Sequence, residues 1–120
     1  MIAAAYTQGR GLDVREMPAP EIGEDELLVR VMASSICGTD VRIIQNGQRK
    51  LNAGDRVILG HEFSGVVARA GAKVARFYPE GTRVGVAPNI GCGHCRMCAR
   101  GLPNMCPHYR AYGINIDGAH

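Results

Sequence analysis

The sequence contains no tryptophan and only two phenylalanines among its 120 residues. Large aromatic side chains therefore cannot fill a big core, whereas 16 glycines allow many tight turns and close backbone contacts. This balance favours a mainly β fold. No apolar run reaches the roughly 18 residues that a membrane span needs, and the N-terminus has neither the basic flank nor the apolar stretch of a secretory signal. We therefore expect no membrane association and a cytoplasmic location.

An excess of charge of one sign is also missing, since 14 basic and 11 acidic residues leave a formal net charge of +3. A charge this small does not predict a polyanion-binding surface, so we expect no nucleic-acid partner. A chain of 120 residues can bury one modest core but is small for a complete two-substrate enzyme. The length therefore predicts a single domain or part of one.

Short segments rich in branched residues, separated by glycine and proline, predict strands. The first two form a hairpin, and the strands cover residues 1–7, 12–17, 26–36, 63–70 and 83–87. Residues 39–45 predict a short helix that Thr39 or Asp40 caps and that Asn46-Gly47 ends. The polar residues 47–56 are expected to form a surface loop.

Four of the five cysteines crowd into one segment, as Cys92, Cys95, Cys98 and Cys106. Residues 88–107 have no hydrophobic periodicity, so this segment needs something other than a core to hold it. The cysteine spacing predicts a closed, tetrahedral zinc site of the structural type. An iron–sulfur cluster is the alternative, because the first three cysteines and the final Cys-Pro are similar to a ferredoxin motif, although the last gap differs.

Two histidines, His94 and His108, lie in the same segment and could replace a cysteine ligand. Because four cysteines already complete a tetrahedral set, we expect both histidines on the surface. Free or disulfide-linked cysteines are a further alternative, which the dense spacing and the expected cytoplasmic location disfavour.

Two shorter motifs, Cys37-Gly38-Thr39-Asp40 and Gly60-His61-Glu62, each place a metal ligand beside a turn residue. Alone, a buried cysteine or histidine more often packs than binds. Together with the four cysteines, however, the order of these motifs resembles the zinc-dependent medium-chain dehydrogenase family of alcohol, sorbitol and threonine dehydrogenases. The turn around Gly81-Thr82-Arg83-Val84 and the segment Asp117-Gly118-Ala119 are also similar to that family. The resemblance covers nearly the whole chain.

The resemblance implies a mainly β fold, a GroES-like partial β-barrel over residues 1–120 that is truncated before a Rossmann domain. A short helix and a zinc lobe at about residues 88–107 belong to this fold. The resemblance implies that Cys37 and His61 are catalytic zinc ligands and that the carboxylate of Glu62 can approach the metal. It implies further that Thr39 contacts the substrate hydroxyl and that Asp40 orients the ligand histidine. The four remaining cysteines would hold a structural zinc.

The implied chemistry is the oxidation of an alcohol. An open zinc site acts as a Lewis acid that lowers the pKa of the alcohol, which then loses hydride to NAD or NADP. The Cys-Gly-Thr-Asp form is closer to the sorbitol and threonine branches, which implies a polyol, sugar or amino alcohol as substrate. The resemblance also implies a homo-oligomeric parent protein. Arg42 stands where many members carry a proton-relaying histidine, and a guanidinium cannot carry a proton near neutral pH.

Two parts of such an enzyme are not found in the sequence. In the family, the third ligand of the catalytic zinc follows the cysteine segment, and here the sequence stops at His120. No Gly-x-Gly-x-x-Gly fingerprint follows a predicted strand, since Gly9-Arg10-Gly11 lacks the spacing. We therefore expect the 120-residue chain to be inactive by itself. A non-enzymatic zinc or iron–sulfur module and a zinc-ribbon nucleic-acid binder stay open, but neither explains the Cys37 and His61 motifs.

Overall fold

The computed structural model describes all 120 residues, and strands dominate it. The strands are β1 Ile2–Thr7, β2 Gly11–Glu16, β3 Leu27–Ser35, β4 Arg56–Ile58, β5 Glu62–Ala70, β6 Arg83–Val86, β7 Asn89–Ile90 and β8 Arg110–Ala111. The helices are α1 Gly38–Asn46, α2 Arg96–Ala99 and a 3₁₀ helix Pro103–Met105. The mainly β prediction is confirmed. No helix has the length and apolar character that crossing a membrane requires.

Two antiparallel three-stranded sheets form the body of the fold, in the orders β2-β1-β4 and β3-β5-β6. The predicted opening hairpin is confirmed, because β1 pairs with β2 and Thr7 faces Gly11 beside the turn. A third, two-stranded sheet of β7 and β8 joins the two ends of the cysteine segment. The pairing closes that segment into a separate lobe.

A small core joins the first sheet to helix α1. Its members are Tyr6 of β1, Ile43 of α1, Val57 of β4 and Leu59, which follows β4. Strand β4 is absent from the sequence prediction, because three residues after a polar loop are too few to reveal a period. The surface-loop prediction for residues 47–56 is wrong at Gln48, which is 7% exposed and whose backbone N–H donates to Gln8 Oε1.

Helix α1 begins at Gly38 with Cys37 as its N-cap, so the prediction of Thr39 or Asp40 at that position is wrong. Asp40 lies three residues further on, where its Oδ2 accepts a hydrogen bond from the backbone N–H of Cys37 at 2.8 Å. A carboxylate at this position satisfies an N–H that the helix itself cannot. The predicted end of the helix is confirmed, with Gly47 as C-cap at φ +78°.

The pairing of β3 with β5 connects the body of the fold to the candidate site. Ser35 pairs with Glu62 at the end of the two strands. Gly65 keeps them close, because a Cβ at that position would overlap the carbonyl oxygen of Arg30. Since Cys37 follows β3 and His61 directly precedes β5, the pairing brings these two residues to the same edge of the sheet.

Candidate metal centres

The first centre is the cysteine lobe, residues 89–111, with the thiols of Cys92, Cys95, Cys98 and Cys106. The four Sγ atoms lie within 4.8 Å of one another, and those of Cys95 and Cys106 are 3.8 Å apart. Four sulfurs placed tetrahedrally at about 2.3 Å from a zinc ion stand about 3.8 Å from one another. The arrangement of the thiols therefore fits a tetrahedral zinc.

Tight backbone turns aim these thiols at a common point. Cys95 is the N-cap of α2, and its sulfur accepts a hydrogen bond from the backbone N–H of Cys98 at 3.5 Å. The sulfur of Cys106 accepts one from the N–H of Cys92 at 3.4 Å. Gly91 leaves room for the thiols, since a Cβ there would lie 2.7 Å from the sulfur of Cys98. The lobe is thus organised around its sulfurs rather than around apolar side chains.

The thiols of the lobe differ in acidity. A backbone hydrogen bond from Cys98 lowers the pKa of Cys95 to about 7, and one from His94 lowers the pKa of Cys92. A backbone hydrogen bond from Gly93 acts in the same direction on Cys98, but burial and the neighbouring thiols outweigh it and raise the pKa of Cys98 to about 11. Further thiolates are disfavoured where one negative charge is already present, and a divalent cation removes that repulsion. The chemistry of the donor set therefore also suits a metal ion.

Both histidines of the lobe, His94 and His108, are exposed, as predicted. Neither belongs to a group of potential ligands that could share one metal ion. The four thiols therefore form the donor set of the lobe without a histidine.

The second centre is the Cys37 group, which consists of Cys37, His61 and Glu62. Their potential ligand atoms also lie within 4.8 Å of one another. Cys37 and His61 are half-buried and Glu62 is exposed, so the group reaches the surface at the end of the β3–β5 pair. A thiolate, an imidazole and a carboxylate are all ligands that zinc accepts. The predicted proximity of Cys37 and His61 is confirmed, whereas their role as metal ligands stays a prediction.

Two further side chains, Asp40 and Ser35, lie next to members of the Cys37 group. The side chain of Asp40 is 3% exposed, and its Oδ1 lies 3.4 Å from Nδ1 of His61. The hydroxyl of Ser35 donates a hydrogen bond of 2.5 Å to Oε2 of Glu62. Sequence reasoning missed Ser35, because only the register of β3 against β5 identifies it as the neighbour of Glu62.

The two other residues that the resemblance singled out lie on α1. Thr39 is half-buried in the first turn of the helix, directly before Asp40. Arg42 is exposed further along the same helix. Helix α1 therefore carries Thr39, Asp40 and Arg42 within its first five residues, directly after Cys37.

Comparison with known proteins finds a family model, the alcohol dehydrogenase GroES-like domain, that matches residues 23–120. The chain is 38% identical over 113 residues to an L-threonine 3-dehydrogenase of Xanthomonas oryzae pv. oryzae (strain MAFF 311018). The match covers 92% of this chain and 32% of that protein. The chain therefore spans about a third of the length of the curated relatives that it matches.

Solved structures of dehydrogenases are also similar to this chain. A zinc-binding dehydrogenase of Sinorhizobium meliloti 1021, bound to NADP, is similar with a TM-score of 0.87 and 40% identity over 98% of this chain and 33% of that one. A cobalt- and zinc-bound thermostable alcohol dehydrogenase of Pyrobaculum aerophilum is similar with a TM-score of 0.83 and 33% identity, over 98% of this chain and 36% of that one. These similarities confirm the expected GroES-like fold.

Proposed function

Because the chain belongs to the alcohol dehydrogenase GroES-like domain family, we propose that it is the metal-binding part of a zinc-dependent oxidoreductase. The enzyme interconverts an alcohol and a carbonyl compound with NAD or NADP. The observation that carries this proposal is the convergence of Cys37, His61 and Glu62 within 4.8 Å at the surface. A purely structural zinc module does not explain such a group, because structural zinc sites have four protein ligands, whereas this group offers three and reaches the surface.

The substrate that we propose is a polyol, a sugar or an amino alcohol. The similar Xanthomonas protein is an L-threonine 3-dehydrogenase, which supports an amino alcohol. A galactitol-1-phosphate dehydrogenase of Escherichia coli, 31% identical, supports a polyol. Thr39 lies in the first turn of α1, two residues after Cys37, and we propose that its hydroxyl contacts the hydroxyl of such a substrate.

In the proposed mechanism, the sulfur of Cys37 and a ring nitrogen of His61 would hold a zinc ion, and Glu62 would offer a carboxylate oxygen beside them. A zinc ion bound there would supply a Lewis acid that lowers the pKa of an alcohol hydroxyl. Oδ1 of Asp40 lies 3.4 Å from Nδ1 of His61, and a hydrogen bond between them would fix the tautomer of the ring and leave Nε2 for the metal. The exposed guanidinium of Arg42 cannot relay the alcohol proton, so the proton leaves by another route.

Hydride transfer also needs a nicotinamide site, and the 120 residues contain no dinucleotide-binding fingerprint. We therefore expect the chain alone to produce no NADH or NADPH from an alcohol. We further propose that the four thiols of the lobe hold a structural zinc and that the protein works in the cytoplasm, where thiols stay reduced.

A count of metal ions per chain tests the proposal. We expect one tightly bound zinc in the lobe and a weaker second site that binds Co²⁺, with Cys37→Ser removing only the second. The absence of any site that depends on Cys37 would overturn the proposal. Iron with visible absorbance in anaerobically purified protein would favour the iron–sulfur alternative for the lobe. A saturable rise of the melting temperature with NAD or NADP would contradict the expected inactivity of the chain alone.

A further inference from the structure

Three buried side-chain nitrogen and oxygen atoms have no hydrogen-bond partner: one belongs to a carboxylate, and the other two are ring nitrogens beside that carboxylate. They are Oδ1 of Asp40, Nδ1 of His61 and Nε2 of His120. His61 Nδ1 lies 3.4 Å from Asp40 Oδ1, and His120 Nε2 lies 3.8 Å from Asp40 Oδ2. Oδ2 of Asp40 accepts from the backbone N–H of Cys37, but Oδ1 is left without a partner. This is costly, because burial removes the water that would otherwise solvate that oxygen. Asp40 therefore lies between two imidazoles that each offer it a ring nitrogen.

The ring of His120 is fixed in this position by the backbone and by Ser34. The N–H of His120 donates to the carbonyl of Leu59 at 3.0 Å, and its own carbonyl accepts from the N–H of Ala4 at 2.9 Å. Nδ1 of the ring lies 2.8 Å from the hydroxyl oxygen of Ser34. Contacts on both sides of the residue thus hold Nε2 at 3.8 Å from Oδ2 of Asp40.

Gly60 provides the space for this ring. It has a φ of +92°, and a Cβ there would lie 2.7 Å from Cγ of the His120 imidazole. Positive φ strongly favours glycine, and the missing side chain admits the ring next to His61. The Gly60-His61 pair therefore combines a potential ligand with the space for a second imidazole behind it.

The hydrogen-bond chemistry of the ring determines where its proton lies. A neutral imidazole has one N–H and one lone pair, and a lone pair on Nε2 would face the lone pairs of Asp40. The hydroxyl of Ser34 can donate to Nδ1, or it can accept from Nδ1 while donating to the carbonyl of Glu62 at 3.4 Å. The first arrangement leaves the hydrogen of the neutral ring on Nε2, where it faces Asp40, whereas the second would leave a lone pair there. The position of Nε2 beside the carboxylate therefore favours donation from Ser34 to Nδ1.

We propose that His120 is a positioning residue for the Cys37 group. It fixes the carboxylate of Asp40 from one side, so that the other side of the carboxylate fixes the ring of His61 with Nε2 free for the metal. The proposal rests on the proposed function only in so far as His61 binds a metal. Its structural part, a carboxylate shared between two imidazoles, is independent of that function.

The experiment compares three variants of the full chain. His120→Phe keeps a ring of similar size but removes both nitrogens, His120→Gln keeps a donor near the position of Nε2, and His108→Phe changes an exposed histidine as a control. Co²⁺ binding is followed by the part of the visible spectrum that Cys37→Ser abolishes. Long-range ¹H–¹⁵N NMR of the metal-free chain reports the tautomers of the His61 and His120 rings.

We expect His120→Phe to weaken Co²⁺ binding about tenfold, the low end of the effect of changing a ligand's supporting partner. His120→Gln should stay within about threefold of the original affinity, and His108→Phe should change nothing. In the metal-free chain, Nε2 of His120 should be protonated, and His120→Phe should shift the ¹⁵N resonance of His61 Nδ1.

An unprotonated Nε2 of His120, or an unchanged His61 resonance in His120→Phe, would overturn the proposal. Equal Co²⁺ affinity in His120→Phe and His108→Phe would also overturn it. If the unmodified chain binds no Co²⁺ at Cys37, the proposed function fails, and the NMR measurements alone decide the role of His120. If His120→Phe does not fold, the tautomer of the unmodified chain and the affinity of His120→Gln decide it.

Discussion

The cysteine lobe and the Cys37 group reach similar ligand geometry by opposite routes. The lobe takes four thiols from one short segment, and its local turns aim them at one point. The Cys37 group joins residues that are 24 positions apart (61 − 37), through the β3–β5 register and the start of α1. A metal ion can therefore organise the lobe, whereas the fold must organise the Cys37 group. Variants that disrupt one centre at a time should show that the lobe depends on its metal ion and the Cys37 group on the fold.

The largest effect is expected from Cys98→Ser in the lobe. Structural zinc contributes roughly 10–16 kcal/mol in small zinc domains, and the lobe has little else, since only Cys106 and Ala111 are buried there. The variant should lose its tight zinc, and amide hydrogens of residues 89–111 should exchange rapidly while those of β3 and β5 stay protected. Cys37→Ser is the matched control and should leave the lobe unchanged. Retention of tight zinc through His94 or His108 would contradict the four-thiol assignment.

A smaller effect is expected from Gly65→Ala in the body of the fold, and it should damage the Cys37 group instead of the lobe. A methyl group there overlaps the carbonyl oxygen of Arg30, and such overpacking costs about 3 kcal/mol. Because β3 and β5 then separate, the Co²⁺ site that depends on Cys37 should disappear while the lobe keeps its zinc. Gly85→Ala is the control, since nothing lies within 4 Å of a Cβ at that position. Equal stability of the two variants in urea unfolding would refute the role of Gly65.

The same contrast explains which features the sequence could predict. The lobe follows from the cysteine spacing alone, because its ligands are close in sequence. The strands follow from runs of branched residues, but β4 is too short to show a period. The sequence predicts the wrong N-cap because Asp40 is a residue type that commonly caps helices. In the structure Cys37 is the N-cap, and the carboxylate of Asp40, three residues later, accepts a hydrogen bond from the N–H of Cys37. No local pattern could identify His120, whose contacts all depend on tertiary packing.

The smallest effect is expected from Ser35→Ala, which tests how finely the fold positions a ligand. The hydroxyl of Ser35 donates to Oε2 of Glu62, and Glu62 is exposed, so water can replace much of this hydrogen bond. Unfolding stability should fall by no more than about 1 kcal/mol. Co²⁺ affinity at the Cys37 group should fall about threefold, because the carboxylate loses the contact that holds it near Cys37 and His61. Ser64→Ala, at another exposed serine beside Phe63, is the control and should change neither quantity. If the two serine variants bind Co²⁺ equally well, Glu62 does not depend on Ser35 for its position.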